Sequence, residues 1–197
     1  IGISEPDAGS DVGAIRTIAR KDGDDWVLNG QKVWQSGAGA TDNVICLYAR
    51  TDMDAHYRQG MSLFLVDNNR PGITMKKLDM LGRYCMGTYE VTLENVRVPE
   101  GQIIGGINKG WDCLLSGLQT ERITVAACDV GSAQGVVDLA LDYAKERKQF
   151  GRAIGNFQSI AHMLADMQTE VEAARSLMYR AAWMVDAGKN AMNEINM

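Results

Sequence analysis

Residues 141–158 read Leu-Asp-Tyr-Ala-Lys-Glu-Arg-Lys-Gln-Phe-Gly-Arg-Ala-Ile-Gly-Asn-Phe-Gln. The stretch reads as the end of an amphipathic helix, a glycine-broken loop over 151–155, and a new helix opening near Asn156. Its basic cluster (Lys145, Arg147, Lys148, Arg152) falls at the helix's C-terminal end, where positive charge complements the macrodipole. A solvated helix end would explain the cluster. It would not require Phe150 and Gln158, an aromatic and an amide on a turn that could hold an anionic, planar ligand. Upstream, Leu114, Leu118, Val125, Val137, Leu141 and Ala144 keep helical spacing and predict a helix over 111–147, with Gly117, Gly131 and Gly135 as weak points. Downstream, Ile160, Met163, Leu164, Met167, Val171, Ala174, Met178 and Ala182 predict a second helix over 156–187, capped by Gly188. Two long helices cannot bury both their faces alone, so they must pack on further helices or on another subunit.

Before residue 105 the composition changes. All three prolines and most glycines lie there. Short apolar runs over 44–49, 61–66, 72–78 and 89–98 are bounded by polar or glycine residues, and Val91, Leu93 and Val96 alternate with polar neighbours. Asn29-Gly30 between 26–28 and 31–36 has the sequence of a two-residue type I′ hairpin. Regularly spaced strands of this kind suggest an antiparallel sandwich or barrel.

The 197 residues suffice for one large domain or two small ones, and 46% hydrophobic with 23% charged residues is ordinary globular composition. A net charge of -5 argues against nucleic acid as a partner. No apolar run approaches the ~20 residues of a membrane span. Four cysteines without metal-like spacing, and only two histidines, suit a reduced, cytoplasmic chain with no metal site. The chain opens without Met in a strand-like Ile1-Gly2-Ile3 and stops in a helical pattern, as a fragment missing both ends would.

Three further stretches bear on chemistry. Ile3-Ser4-Glu5-Pro6-Asp7-Ala8-Gly9-Ser10-Asp11 runs a strand into a tight turn with free amides and hydroxyls; Gly-Ser-Asp alone would be a surface turn. In Lys32-Val33-Trp34-Gln35-Ser36-Gly37, strand alternation puts Trp34 and Ser36 on one face, with Gln35 facing away. An indole beside a hydroxyl suits a flavin ring; a cross-strand core aromatic is the plainer account. In Leu118-Gln119-Thr120-Glu121-Arg122, Glu121 shares a helix face with Val125, Cys128 and Ser132. Desolvation there would raise its pKa and suit it to proton abstraction, whereas a surface Glu would simply pair with Arg122 or a lysine. Gly82-Arg83-Tyr84-Cys85 through Asn95-Val96-Arg97-Val98-Pro99 reads as a hairpin and linker without chemistry. Gly105-Gly106-Ile107-Asn108-Lys109-Gly110 lacks the pattern of a phosphate cradle, and the methionines read as core packing.

In their order and gaps these stretches resemble the acyl-CoA dehydrogenase family. Arg147-Lys148-Gln149-Phe150-Gly151 with Gln158 resembles its Arg-Lys-x-Phe-Gly signature; the first nonamer resembles its Thr-Glu-Pro-x-Ala-Gly-Ser-Asp element, with Ser4 keeping the hydroxyl; Trp34-Gln35-Ser36 resembles its Trp-Ile-Thr or Trp-Ile-Ser. The resemblance implies an α+β chain: an antiparallel β-sandwich or barrel as middle β domain (1–105), then the first two long helices of an incomplete four-helix bundle (106–197). It implies FAD as cofactor and α,β-dehydrogenation of an acyl-CoA thioester to the 2-enoyl-CoA, as in fatty-acid β-oxidation, with electrons passed to an electron-transferring flavoprotein. By the same resemblance Ile3, Ser4, Trp34 and Ser36 meet the flavin, and Ser10, Gln119 and Arg122 meet the acyl-CoA. Arg147, Phe150 and Gln158 would reach the FAD of a neighbouring subunit in a homodimer or homotetramer. Glu121 matches the catalytic base of isovaleryl- and long-chain-type members; most others carry the base further downstream. Two alternatives stay open: an oxidase-like relative that gives its electrons to oxygen, and a non-catalytic β-sandwich with a helical hairpin used for assembly. The isolated stretch is expected to bind FAD poorly.

Overall fold

The computed structural model describes residues 1–82 and 84–197; Arg83 lies outside the described residues. The chain divides into two units, Ile1–Leu115 and Ser116–Met197.

The first unit is built on one seven-stranded sheet. Its strands are β1 (Ile18–Asp22), β2 (Asp25–Ser36), β3 (Val44–Arg50), β4 (Met61–Asp67), β5 (Ile73–Leu78), β6 (Thr88–Pro99) and β7 (Ile103–Ile104). Their spatial order is β5-β6-β2-β1-β3-β4-β7. Neighbours are antiparallel except β1 and β3, which meet in parallel at Ile18 and Arg50, so the sheet is mixed. Alternation along the strands sends Leu28, Leu47, Phe64, Val91, Val96 and Val98 into one core, closed by Trp26 edge-on to Phe64.

The expected turn at Asn29-Gly30 is not there. Strand β2 runs straight through it, and the hairpin falls earlier, at Gly23-Asp24 between β1 and β2. Asn29 instead lies opposite a bulge in β6, where Glu94 and Asn95 face this single residue of β2. The Asn29 side chain accepts from the Asn95 backbone N–H at 2.9 Å, a long-range contact that no local propensity reveals. Gly30 is glycine because Thr17 lies against it: a Cβ there would come within 2.6–2.8 Å of Thr17 atoms. The strand expected at Ile1-Gly2-Ile3 shrinks to a single parallel bridge from Gly2 to Leu47.

The C-terminal part is helical. Helix α1 (Gly110–Glu146) runs unbroken through Gly117, Gly131 and Gly135, and α2 (Gln158–Asp186) follows, with a short α3 (Met192–Asn196). Between them two 2-residue strands, β8 (Lys148–Gln149) and β9 (Arg152–Ala153), replace the expected loop with a tight hairpin. Val130 and Val137 of α1 pack on Val171 and Met167 of α2. Of the expected stripe, Leu114, Val137 and Ala144 are buried, whereas Val125 and Leu141 are exposed. By length and composition alone α1, with an 18-residue window of mean hydropathy 1.2, would suffice to cross a membrane, contrary to the expectation of no such run. Its valines instead form the seam with α2. Gly188, in the left-handed region, ends α2 with Lys189 N–H donating to the Met184 carbonyl at 2.8 Å and Gly188 N–H to Val185 at 3.0 Å.

Candidate functional site

The first unit brings the two flavin-like motifs side by side. The Val33 N–H donates to the Ser4 carbonyl at 2.9 Å, and the Lys32 ammonium donates to the Ile3 carbonyl at 3.0 Å. Ile3 and Ser4 therefore lie along the end of β2 that carries Trp34 and Ser36. Between Lys32 and Gln35 the pairing with β6 slips, so that Lys32 and Val33 are both buried in succession and Trp34 is turned out. Trp34 takes φ +69° and stands 59% exposed. Gln35 turns inward as expected, buried, with its amide donating to the Val33 carbonyl. Ser36 faces out again. Trp34 and Ser36 thus line one cavity of about 330 Å³ with Met80, Gly82 and Thr88. An exposed indole flanked by Ser36 and Thr88 hydroxyls is the donor set that one face of a flat, hydrogen-bonding heterocycle needs, so the residues fit a flavin ring. Ser10 lies exposed on the turn that follows, where Glu5 and Ala8 pair through their backbones.

Beneath this wall is a buried ion pair that the sequence did not announce. Lys32 is fully buried and donates to Glu5 Oε1 at 2.8 Å; Glu5 is 8% exposed. The remaining acceptor capacity of Glu5 is taken by the Arg16 and Thr17 backbone N–H groups at 2.6 and 2.9 Å. Burial alone would raise the Glu5 carboxyl, but the Lys32 charge and hydrogen bonds from Lys32, Thr17 and Arg16 outweigh it and hold the group below its ordinary value. Burial pushes the Lys32 ammonium down to about 8, against the opposing pull of Glu5. The signal for this pair was present as an acid in one motif and a base in the other, but nothing local joined them.

In the second unit Gln119, Glu121 and Arg122 sit near the start of α1. Gln119 is half-buried, and Glu121 and Arg122 are exposed, with Arg122 donating to the Asn196 side chain at 2.7 Å. The stripe of modest-sized residues expected to desolvate Glu121 does not do so within the described residues, because Val125, Cys128 and Ser132 are exposed as well. Nor does Glu121 pair with Arg122 in a salt bridge among the described residues.

At the far end of α1 the hairpin gathers the remaining candidates. Phe150 and Gly151 form its two-residue turn with φ +53° and +79°. The Arg147 carbonyl receives the Ile154 N–H at 2.8 Å, closing the hairpin's base. Phe150, 92% exposed, meets Phe157 edge-on at 6.1 Å, and Gln158 opens α2 next to it. Arg152, a member of the basic cluster given no ligand role from the sequence, lies 4.2 Å over the Phe157 ring. Twenty-six positions along α1 separate Glu121 from Arg147, which at 1.5 Å per residue is about 40 Å. The two groups of candidates cannot share one ligand site within a single chain.

Similarity to known proteins follows the same division. The family model described as "Acyl-CoA dehydrogenase, middle domain" matches residues 1–96, and that described as "Acyl-CoA dehydrogenase, C-terminal domain" matches residues 108–197. The 3-(aryl)acrylate reductase of Clostridium sporogenes is 43% identical over 196 residues, covering 99% of this chain and 52% of the relative. A subunit of the caffeyl-CoA reductase–Etf complex of Acetobacterium woodii is 42% identical over 196 residues, covering 99% and 51%. The solved butyryl-CoA dehydrogenase from Megasphaera elsdenii superimposes with a TM-score of 0.93 at 36% identity, covering 98% of this chain and 51% of that one. The chain spans about half the length of the curated relatives it matches.

Proposed function

This chain belongs to the acyl-CoA dehydrogenase family, whose members are FAD-dependent oxidoreductases, and on that premise we propose that its parent protein dehydrogenates an acyl-CoA thioester between the α- and β-carbons. The observation that carries this reading is the pair of outward-turned groups on β2. Trp34 and Ser36 line one cavity beside Ser4, where the chain tolerates a left-handed tryptophan to present the indole. Bound FAD would accept the two electrons and the hydrogen that leave the β-carbon. The protein's residues would do the rest. Trp34 would cover one face of the ring; the Ser4 and Ser36 hydroxyls would hold its polar edge. Ser10, Gln119 and Arg122 would orient the acyl-CoA, and the Glu121 carboxylate would take the α-proton. Arg147, with Phe150 and Gln158, would grip the diphosphate and adenosine side of an FAD belonging to another copy, because about 40 Å of helix keeps them from their own Glu121. We assign the electrons to an electron-transferring flavoprotein, in keeping with the Etf complex named for the A. woodii relative.

Mixing the full-length protein with acyl-CoA in the absence of oxygen tests this. The native protein should purify yellow and bleach on mixing, and Glu121→Gln should bind the thioester without bleaching. A colourless protein would overturn the dehydrogenase reading in favour of an assembly module. Bleaching by Glu121→Gln at the native rate would move the base elsewhere and leave the rest standing. Stoichiometric peroxide release during turnover in air would instead mark an oxidase.

A further inference from the structure

The ion pair under the flavin wall is expensive to bury: Lys32 is fully buried and Glu5 only 8% exposed. Replacing such a pair with apolar residues of similar volume is often neutral or stabilising, so its persistence asks for a geometric reason. The geometry supplies one. Three bonds join the Ile3–Glu5 segment to β2 at consecutive residues: Lys32 Nζ to the Ile3 carbonyl, Val33 N–H to the Ser4 carbonyl, and Lys32 Nζ to the Glu5 carboxylate. Only the middle one is a backbone pairing of the sort that could slip by a residue. Glu5 is in turn held by the Arg16 and Thr17 backbone N–H groups, and Thr17 passes its own carbonyl to the Arg50 N–H at the end of β3 at 2.8 Å. The clamp therefore ties the segment to the body of the sheet as well as to β2.

We propose that Lys32 and Glu5 are positioning residues of the cofactor site, a buried ionic clamp that fixes the register of Ile3–Ser4 against the β2 bulge so that Ser4, Trp34 and Ser36 face one ring. The proposal rests on the flavin reading of that wall. A one-residue slip of a segment paired this way would send the Ser4 side chain to the opposite face. The clamp is placed where that slip would otherwise occur. Val33 and Trp34, directly after Lys32 in β2, are the bulged residues, and an irregular strand offers the weakest guidance to register. The charge on Lys32 matters through two fixed acceptors that no apolar side chain reproduces.

The test uses the full-length protein with FAD and the double variant Lys32→Met/Glu5→Gln. The amide oxygen at position 5 can still accept from one of the Arg16 and Thr17 N–H groups, which in the native protein bond different carboxylate oxygens, and the variant removes both charges without stranding either one. The expected result is a folded oligomer with native circular dichroism whose FAD retention falls about tenfold, and whose remaining flavin regains fluorescence that the stacked indole quenches in the native protein. Native retention and native quenching in a folded double variant would overturn the clamp. Trp34→Ala separates this failure from failure of the underlying reading: it should weaken FAD and restore fluorescence whether or not the clamp matters. If Trp34→Ala also leaves flavin binding and quenching unchanged, the wall itself is misassigned. Should the double variant not fold, Glu5→Asp, which keeps the charge but shortens the reach, takes its place, and the same two flavin readouts decide.

Discussion

Among the described residues, five other than glycine have positive φ: Trp34, Asp42, Asn95, Asn108 and Phe150. Asn and Asp reach this region with help from their short polar side chains; an aromatic residue does so at a cost of about 1–2 kcal/mol. The two aromatics are also ones that resemblance assigned to FAD, Trp34 to the flavin ring and Phe150 to the adenosine side of a neighbouring subunit's FAD, and both project from the surface. Phe150 allows a direct test of whether that cost serves the ligand. Asn-Gly is the preferred type I′ dipeptide, so Phe150→Asn should raise the stability of the hairpin by about 0.5–1 kcal/mol while lowering FAD retention by the full-length protein. Chemical denaturation and flavin content measure the two effects; a variant that is less stable and keeps its flavin would refute the trade. The Lys32–Glu5 pair makes a pH prediction. Lys32, moved from 10.5 to about 8, binds fewer protons folded than unfolded between those values, so its contribution to stability rises as pH climbs from 8 to 10.5. Glu5, held below 4.5, contributes stability present above 4.5 and lost as pH falls through its folded value. The stability difference between the native protein and Lys32→Met/Glu5→Gln should accordingly rise with pH in both windows and stay flat between them. Denaturant midpoints measured from acid to alkaline pH would show this; a difference flat throughout would contradict it. Lys32→Met alone should cost about 3–5 kcal/mol, because it leaves Glu5 buried and uncompensated.

The strands show what alternation does and does not encode. The apolar runs that became β3, β4 and β6 were legible because each buries alternating residues in the core, and that of β5 because Ile73 and Met75 pack against it. Strand β1, Ile-Ala-Arg-Lys-Asp, buries only Ala19 and was not recognised. The Asn29-Gly30 turn was misread because its physical cause lies far away, at Asn95 and Thr17. Gly30→Ala should therefore cost more than about 2 kcal/mol, beyond the usual loss for such a change, since it adds a clash with Thr17 to an unfavourable φ of +148°. Thermal unfolding would measure it, and a cost below 1 kcal/mol would mean the neighbouring chain yields instead. The β8–β9 hairpin escaped notice for a similar reason: its strands are two residues long and its turn opens with a phenylalanine. The outward face of Trp34 and Ser36 was legible by alternation, yet it survives in the fold only because a bulge resets the phase after Val33. The clamp was not legible at all, because its partners are 27 positions apart and a lysine in mid-strand reads as a solvated residue.

At the scale of the molecule, one long helix sets the distance between the two groups of candidate residues. Gln119, Glu121 and Arg122 belong to one end of α1, and Arg147, Phe150 and Gln158 to the other. On the function proposed above, a chain arranged so completes its site with another copy, which would make the oligomer part of the chemistry. Hybrid oligomers formed by co-expressing full-length Trp34→Ala with full-length Arg147→Ala put this to the test. Each variant alone breaks every site. In a hybrid pair, one site carries both lesions and the other carries neither, so FAD content should recover to about half of native. Hybrids no richer in flavin than either parent variant would contradict the account, because Trp34 and Arg147 would then serve the same chain's cofactor or none.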